Sequence, residues 1–317
     1  MLKICILGAG ALGCAIGGAL TDGGHEVWLV NRDPAFLTAL RQNGLVRRID
    51  GVDSARPVRA IALCSEIAAT SGTVDLIIVL VKSFHTRQAI ESASAIIGEQ
   101  TVVMSLQNGL GHEEVLADVV GRHRVIAGKT YTGGVVLAPG HIIAGITGKE
   151  TLIGELNGTL TERVQGIAAA MNQAGLITTV SHSIMGVMWD KLLVNVATGA
   201  LSGITRLPYG ALYQVPEVEA CAIAAVAETM AVAKASGIPL ATTDPRAPWV
   251  KAAADLPDVF KASMLQSLEG GSITEVDYVN GAVVRQGARV GVPTPVNQAL
   301  VACLKGIERG LFGKPAA

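Results

Sequence analysis

The chain has 317 residues, a formal net charge of −1, and an apolar half drawn largely from Ala, Val, Leu and Ile. That length suffices for two domains with cores of their own, and the near-zero charge excludes a strong global electrostatic case for nucleic acid or a membrane surface. The densest apolar run, Leu76–Val81, is far too short to span a bilayer.

The N-terminus shows no signal-peptide pattern and enters a strand after Lys3. The five cysteines (Cys5, Cys14, Cys64, Cys221, Cys303) lie in apolar segments without metal-ligand spacing. They read as small core residues of a reduced, cytoplasmic protein, with no structural metal and no disulfide framework.

In chain order, Lys3–Leu7 is an apolar run that predicts a buried parallel strand. It leads into Gly8-Ala9-Gly10-Ala11-Leu12-Gly13, a G-x-G-x-x-G turn, and then a helix over Gly13–Leu20 and a second strand over Glu26–Val30. In that strand–turn–helix–strand context the motif predicts a dinucleotide site. Gly8 permits the tight turn, Gly10 lets a pyrophosphate approach the backbone, and Gly13 lets helix and strand pack closely. The helix start then directs its amides and dipole at the phosphates.

The second strand ends in Asn31-Arg32, where an NAD site usually carries Asp or Glu for the ribose hydroxyls. Asn31 does not repel a 2′-phosphate and the Arg32 fork can grip one, which favours NADPH; a solvated surface role for Arg32 is the competing reading. Asp33, just before Pro34, suggests a turn or helix cap.

Strands are expected at Leu76–Val81, Thr101–Ser105, Val125–Thr130, Leu152–Gly154 and Leu176–Val180, and helices at Pro34–Gln42, Thr86–Ile97 and Leu160–Ala174. Such alternation predicts an α/β domain with a mainly parallel sheet, whose ligands bind beyond the carboxyl ends of the strands. That rule selects Val81-Lys82-Ser83 and Gln107-Asn108-Gly109 alongside the glycine turn and Asn31-Arg32. Lys82 could equally terminate a strand on the solvent side, and Asn108-Gly109 is a turn signal in its own right.

From about Ser183 alanine-rich helical segments take over, at Glu217–Ser236, Pro257–Leu268, Thr274–Arg289 and Thr294–Ile307. The expected division is therefore 1–182 and an all-helical 183–317, with Gly313–Ala317 frayed. The alanine-rich helices could bury their faces within one chain or across a homodimer.

The helical half opens with MGVMWDKLLVNVATGALSGITR, where Lys191 and Asn195 are four apart and share a helix face among apolar neighbours. An ammonium at the edge of an apolar cleft has a lowered pKa and suits proton delivery at neutral pH. Snorkelling to solvent, or pairing with an acid, is the alternative.

GAGALG, VLVKS at Lys82, QNGLGHEE at Asn108, WDKLLVN at Lys191 and KASMLQSLEGGSITEVDYVNGAVV after Lys261 occur in one order, and together they closely resemble the ketopantoate reductase (2-dehydropantoate 2-reductase) family. The resemblance implies a Rossmann-type N-terminal domain, a helical C-terminal domain, and NADPH-dependent reduction of ketopantoate to pantoate. By the same resemblance Lys191 is the general acid, Asn195 a substrate hydrogen-bonding residue, and Ser263 the partner of the substrate carboxylate. Glu275 engages the substrate hydroxyl or steadies Lys191. Asn108 contacts cofactor and substrate from the first domain, and Lys82 stands at the cofactor edge.

Ser272-x-x-Glu275 also has the form of a capping box, which would give Glu275 a backbone role. One position departs from the family: Gly199 stands where an asparagine is common, so a polar contact is missing unless Thr198 or a water replaces it. The departure leaves open another 2-oxo acid or an opine-type reaction, and a non-catalytic NADPH-binding regulator is the reading from outside enzymology.

Overall fold

The computed structural model describes residues 1–254 and 256–313; the tail expected to fray lies, beyond Gly313, outside the described residues. The chain forms two compact units, one of 1–107 with 112–184 and one of 108–111 with 185–317.

The first unit contains β1 (Lys3–Leu7), α1 (Ala11–Asp22), β2 (Glu26–Val30), α2 (Pro34–Asn43), β3 (Leu45–Ile49), β4 (Val52–Arg56), β5 (Arg59–Ile61), α3 (Ser65–Ser71), β6 (Val74–Val79) and α4 (Thr86–Glu91). It continues with β7 (Ile97–Ser105), α5 (His112–Val120), β8 (Val125–Thr130), β9 (Gly133–Ala138), β10 (His141–Gly145), β11 (Thr151–Glu155), α6 (Glu162–Gln173) and β12 (Thr178–Val180). Eight strands make one sheet in the order β12-β11-β8-β7-β6-β1-β2-β5. All its pairings are parallel except β8 with β11, and order reverses beside β1, which creates the crevice where dinucleotides bind in such sheets.

A second sheet, β4-β3-β10-β9, was not expected from the sequence. Its strands are short; β4 is largely exposed and β9 wholly so, so neither shows the half-buried alternation that marks a strand. It packs on α1, which is thereby held from two sides. Gly17 meets Leu29 and Ile6 of the large sheet, and Gly18 meets Arg47 and Leu45 of the small one. The buried Arg47 guanidinium also binds Asp22, the last residue of α1.

Several element ends differ from expectation for local reasons. The helix expected over Thr86–Ile97 stops at Glu91, and a 3₁₀ turn at Ser94–Ile96 feeds β7. The strand expected from Leu176 begins at Thr178, because the Leu176 N–H still closes α6 by donating to the Met171 carbonyl.

The second unit is helical: α7 (Ile184–Thr205, beginning at the last residue of the first unit), α8 (Tyr209–Leu212), α9 (Pro216–Ala235), α10 (Ala247–Ala253), α11 (Ser263–Glu269), α12 (Asn280–Val290) and α13 (Pro295–Phe312). α7 has the length and mean hydropathy (1.3) of a membrane span, yet 67% of that window is buried within the protein, as for a core helix. The start of α13 is capped by Glu228 of α9, whose carboxylate accepts from the Val296 and Asn297 amides and from Asn297 Nδ2.

The helix expected over Pro257–Leu268 begins only at Ser263, because carbonyls of the preceding turn serve α8: Tyr209 and Gly210 donate to Phe260 and Asp258. The helix expected over Thr274–Arg289 breaks into a 3₁₀ turn at Val276–Tyr278 and then α12. Here the Tyr278 carbonyl accepts from Leu110.

Glu113, in the first turn of α5, is a buried carboxyl with neither oxygen hydrogen-bonded. Burial pushes its pKa up to about 7, with the nearby Glu114 charge adding to the rise and the α5 backbone and Lys129 opposing it. Because the folded-state value lies above the unfolded one, this contribution to stability falls as pH rises from about 4.5 to about 7 and is flat above, a change of about 3 kcal/mol. Chemical denaturation of Glu113→Gln between pH 4 and 8 is expected to show a flatter profile than the parent; parallel profiles would mean that Glu113 ionises normally.

Candidate active site

The glycine turn is built as its spacing requires. Gly8 has φ +103°, and a Cβ on it would lie 2.6 Å from the Val81 nitrogen. A Cβ on Gly13 would lie 2.2 Å from the Gly8 carbonyl oxygen, so α1 reaches the strand only because position 13 has no side chain. Gly10 differs: it is exposed, and a Cβ there meets nothing within 4 Å. As N-cap of α1 it offers no side-chain cap, and the first turn holds no acid. The open face at Gly10, above uncapped amides, fits an anionic pyrophosphate.

Asn31 fastens this turn to the end of β2. Its Nδ2 donates to the Ala9 carbonyl at 2.8 Å and its Oδ1 accepts from the Asp33 amide at 2.9 Å. The Asp33 carboxylate is spent on α2, accepting from the amides of Ala35 and Phe36, which makes it the cap suggested by its place before Pro34. The strand end therefore presents Arg32, exposed and bonded through Nη1 to Gln88 at 3.1 Å. At the ends of β6 and β7, buried Gln107 donates to the Val81 carbonyl (2.7 Å) and the Thr86 hydroxyl (2.9 Å), binding the Lys82 loop to the strand that leads to Asn108. Lys82 itself is exposed.

Asn108 was expected to act from the first domain, but it clusters with the helical unit. Residues 108–111 cluster with the helical unit, because Leu110 donates to the Tyr278 carbonyl and Gly109 lies against the same residue. The segment that begins with Asn108 is thus fastened to the Val276–Tyr278 turn, which Glu275 precedes. The capping-box alternative for Glu275 is not realised, since the Ser272 amide and hydroxyl both turn back to the Ser267 carbonyl. Instead Thr274 fixes the segment, its amide and hydroxyl donating to buried Glu308 of α13 at 2.7 and 2.6 Å.

Lys191 and Asn195 lie one turn apart on α7, both half-buried. Burial, and then the charge of Lys251 on α10, pull the Lys191 ammonium below the usual lysine value. Asp190 holds the loop before α10, accepting from the Ala241 and Thr242 amides at 2.9 and 3.0 Å. Ser263 is exposed as the first residue of α11. The next residue, Met264, packs over Gly199, one turn beyond Asn195, and so sets the start of α11 near that end of the face.

All five expected substrate-side residues, Asn108, Lys191, Asn195, Ser263 and Glu275, therefore fall in the helical unit, while Gly8–Gly13, Asn31, Arg32 and Lys82 fall in the other. Sequence reading did not single out Glu308, Asp190 or Tyr209; each acts on partners 11 to 52 residues away, which no local motif records. Among the described residues there is no cluster of His, Cys, Asp or Glu suited to a metal ion.

A doubly wound sheet with an open glycine cradle at its switch point, joined to a helical unit bearing a depressed lysine, defines an oxidoreductase that works with a nicotinamide dinucleotide. Residues 4–158 match the ketopantoate reductase PanE/ApbA family and residues 183–308 its C-terminal family. The chain belongs to the ketopantoate reductase family.

It is 32% identical to the 2-dehydropantoate 2-reductases of Halobacterium salinarum (97% of this chain, 99% of the relative) and Pyrococcus horikoshii (97% and 98%). Among solved structures it is similar to a PanE/ApbA family ketopantoate reductase from Ralstonia eutropha, with 33% identity, a TM-score of 0.87, and coverage of 98% and 99% of the two chains. It is also similar to D-mandelate dehydrogenase in its ternary structure with NADH and anilino(oxo)acetate, with 25% identity, a TM-score of 0.88, and the same coverage.

Two substitutions separate cradle from scaffold. Gly10→Ala is expected to fold normally yet weaken dinucleotide binding about tenfold or more, roughly the worth of one hydrogen bond. Gly13→Ala should lower the thermal midpoint as well, because its methyl group meets backbone. Equal binding by Gly10→Ala and the parent, measured by fluorescence titration, would mean that the pyrophosphate does not sit there.

Proposed function

We propose that the chain catalyses the NADPH-dependent reduction of 2-dehydropantoate (ketopantoate) to pantoate in the cytoplasm, a step toward pantothenate and coenzyme A. In this reading residues 1–182 carry the dinucleotide site, and residues 183–317 carry the proton donor and most of the substrate contacts. The observation that carries it is the pairing of half-buried Lys191 and Asn195 on α7, in a chain that matches 2-dehydropantoate 2-reductases over nearly its whole length.

The first unit's residues fit the cofactor. The Gly10 cradle and the α1 amides would hold the pyrophosphate, and Lys82 stands at the cofactor edge. Arg32 would grip the 2′-phosphate, since Asn31 at the strand end is uncharged and bonded to backbone, and Asp33 caps α2 through Oδ1. When bound, NADPH supplies hydride to the C2 carbonyl carbon of the substrate.

The chain's own part is to orient the 2-oxo acid and deliver a proton. Ser263 donates to the substrate carboxylate, and Asn195 and Asn108 hydrogen-bond the 2-oxo group and its surroundings. Glu275 accepts from the substrate hydroxyl. Lys191 donates an N–H to the carbonyl oxygen and stabilises the charge that grows there. Its proton passes to that oxygen as the C–H bond forms, leaving a C2 hydroxyl and a neutral amine that regains a proton from water. A depressed pKa eases this release, and general acid catalysis of this kind is worth about 10²–10⁴ in rate.

Lys191→Ala is therefore expected to cut kcat by about 10²–10⁴ with little change in NADPH affinity. In the parent, turnover should decline as pH rises through the depressed lysine pKa, below the ordinary value of about 10.4. Steady-state assays of NADPH oxidation with ketopantoate test both points, and an unchanged kcat would remove Lys191 from the reaction. Arg32→Ala should raise KM for NADPH at least tenfold, about the 1.4 kcal/mol of one charge-assisted bond, and leave NADH nearly unaffected. Equal losses with both cofactors would show that Arg32 reads no phosphate.

A further inference from the structure

One face of α10 is docked, and the other leaves a lysine in solvent. Pro248, Trp249 and Ala252 are buried, whereas Lys251 is exposed. The Trp249 ring stacks on Tyr213 with centroids 3.9 Å apart, and the Trp249 carbonyl accepts from the Tyr213 hydroxyl at 2.6 Å. Tyr213 lies 5.5 Å from Tyr209, whose hydroxyl donates to Thr198 of α7 at 3.1 Å. A second tie runs from the loop before α10, where the Ala241 and Thr242 amides donate to the Asp190 carboxylate of α7. The two ties meet α7 on either side of Lys191 and Asn195, and hold α10 beside that stretch.

Burial first, and then the Lys251 charge, pull Lys191 below the usual lysine value, so the two ammonium groups act on each other. Lys251 makes no ion pair or hydrogen bond among the described residues. Acids around α10 are engaged elsewhere: Glu219 with Arg246 at 2.7 Å, Asp244 with the Arg246 amide at 2.9 Å, and Asp190 with its two amides. A fixed cation without a counter-ion, close to another cation, attracts an anion. In a 2-oxo acid the carboxylate is bonded to the carbonyl carbon. A substrate whose carbonyl oxygen meets Lys191 thus brings a full negative charge into the same neighbourhood.

We infer that Lys251 is a substrate-binding residue whose ammonium pairs with the carboxylate of the 2-oxo acid, together with the hydroxyl of Ser263. The inference rests on the roles of Lys191 and Ser263 given under Proposed function. Bound there, the carboxylate also offsets the repulsion between the two ammonium groups. Lys251 takes no part in proton transfer; it adds affinity and selects for an acid over an uncharged carbonyl compound.

Steady-state kinetics of Lys251→Gln and Lys251→Arg with ketopantoate, at saturating NADPH, test this assignment. Lys251→Gln should raise KM for ketopantoate about tenfold, the worth of one charge-assisted hydrogen bond, and change kcat less than about threefold. Lys251→Arg keeps the charge and should stay within about threefold of the parent KM. Raising ionic strength from about 0.02 to about 0.3 M should raise the parent KM and move that of Lys251→Gln less. KM for NADPH and the thermal midpoint should match the parent in both variants, which a packing role for this helix end would not allow.

An unchanged ketopantoate KM in folded Lys251→Gln, with turnover retained, overturns the assignment and leaves the proposed function standing. Equal rises in Lys251→Gln and Lys251→Arg do the same, because charge is then not what the substrate reads. Failure of the parent to reduce ketopantoate defeats the proposed function, and the Lys251 role with it.

Discussion

Much of the first unit depends on one close approach, that of α1 to the carbonyl of Gly8. The distance available at Gly13 admits no side chain, and Gly17 repeats the condition a turn later against Leu29 and Ile6. Helix and strand can then lie near enough for the α1 amides to emerge directly above the turn after β1. The small sheet closes the other side of the helix through Gly18, Leu45 and Arg47. α1 is thus fixed between two sheets, and its first turn keeps one direction. A helix dipole contributes to anion binding only within about a turn of its end, so that direction matters as much as the presence of a helix.

The two units divide the chain in a way its order conceals. Residues 108–111 sit between two segments of the first unit, yet they fold with the second. One hydrogen bond, from Leu110 to Tyr278, and the lack of a side chain at Gly109 account for this. The same carbonyl, bonded outside its own helix, leaves the backbone broken between the 3₁₀ turn and α12. The 108–111 segment and the Val276–Tyr278 turn are thus joined by this contact, while Thr274 anchors the same turn on Glu308.

Legibility in the sequence followed the range of the interactions. The bounds of β1, β2 and β8 coincide with expectation because their apolar runs and flanking turns are local. The glycine cradle and the Asp33 cap were readable for the same reason. The small sheet was missed because Leu45–Ile49 and Val52–Arg56 are mixed in polarity, and the pairing of Leu45–Ile49 with His141–Gly145 is remote. The 274–289 helix was drawn too long because nothing near Tyr278 announces that Leu110 will take its carbonyl. That Lys191 and Asn195 share one face of a helix was legible from their spacing. The filling of the Gly199 position by Met264 was not, since it joins residues 65 apart in sequence.

A shared construction runs through the residues proposed to meet ligand. Asn31 is bonded to the backbone at Ala9 and Asp33, and the next residue is Arg32. Gln107 ties Val81 and Thr86, and the next is Asn108. Asp190 holds the amides of Ala241 and Thr242, and Lys191 follows. Thr274 is anchored on Glu308, and Glu275 follows.

In each pair one side chain fixes backbone and its neighbour carries the group assigned to chemistry. A long side chain such as lysine or arginine has much rotamer freedom to lose, and binding is weakened if the backbone beneath it also moves. Anchoring the preceding residue removes the second loss without touching the reactive group. The anchors are polar and mostly distant partners, so they can be exchanged only together with what they hold. That constraint, more than the reactive groups themselves, explains how short loops at strand ends and helix starts can present side chains with the precision that hydride and proton transfer require.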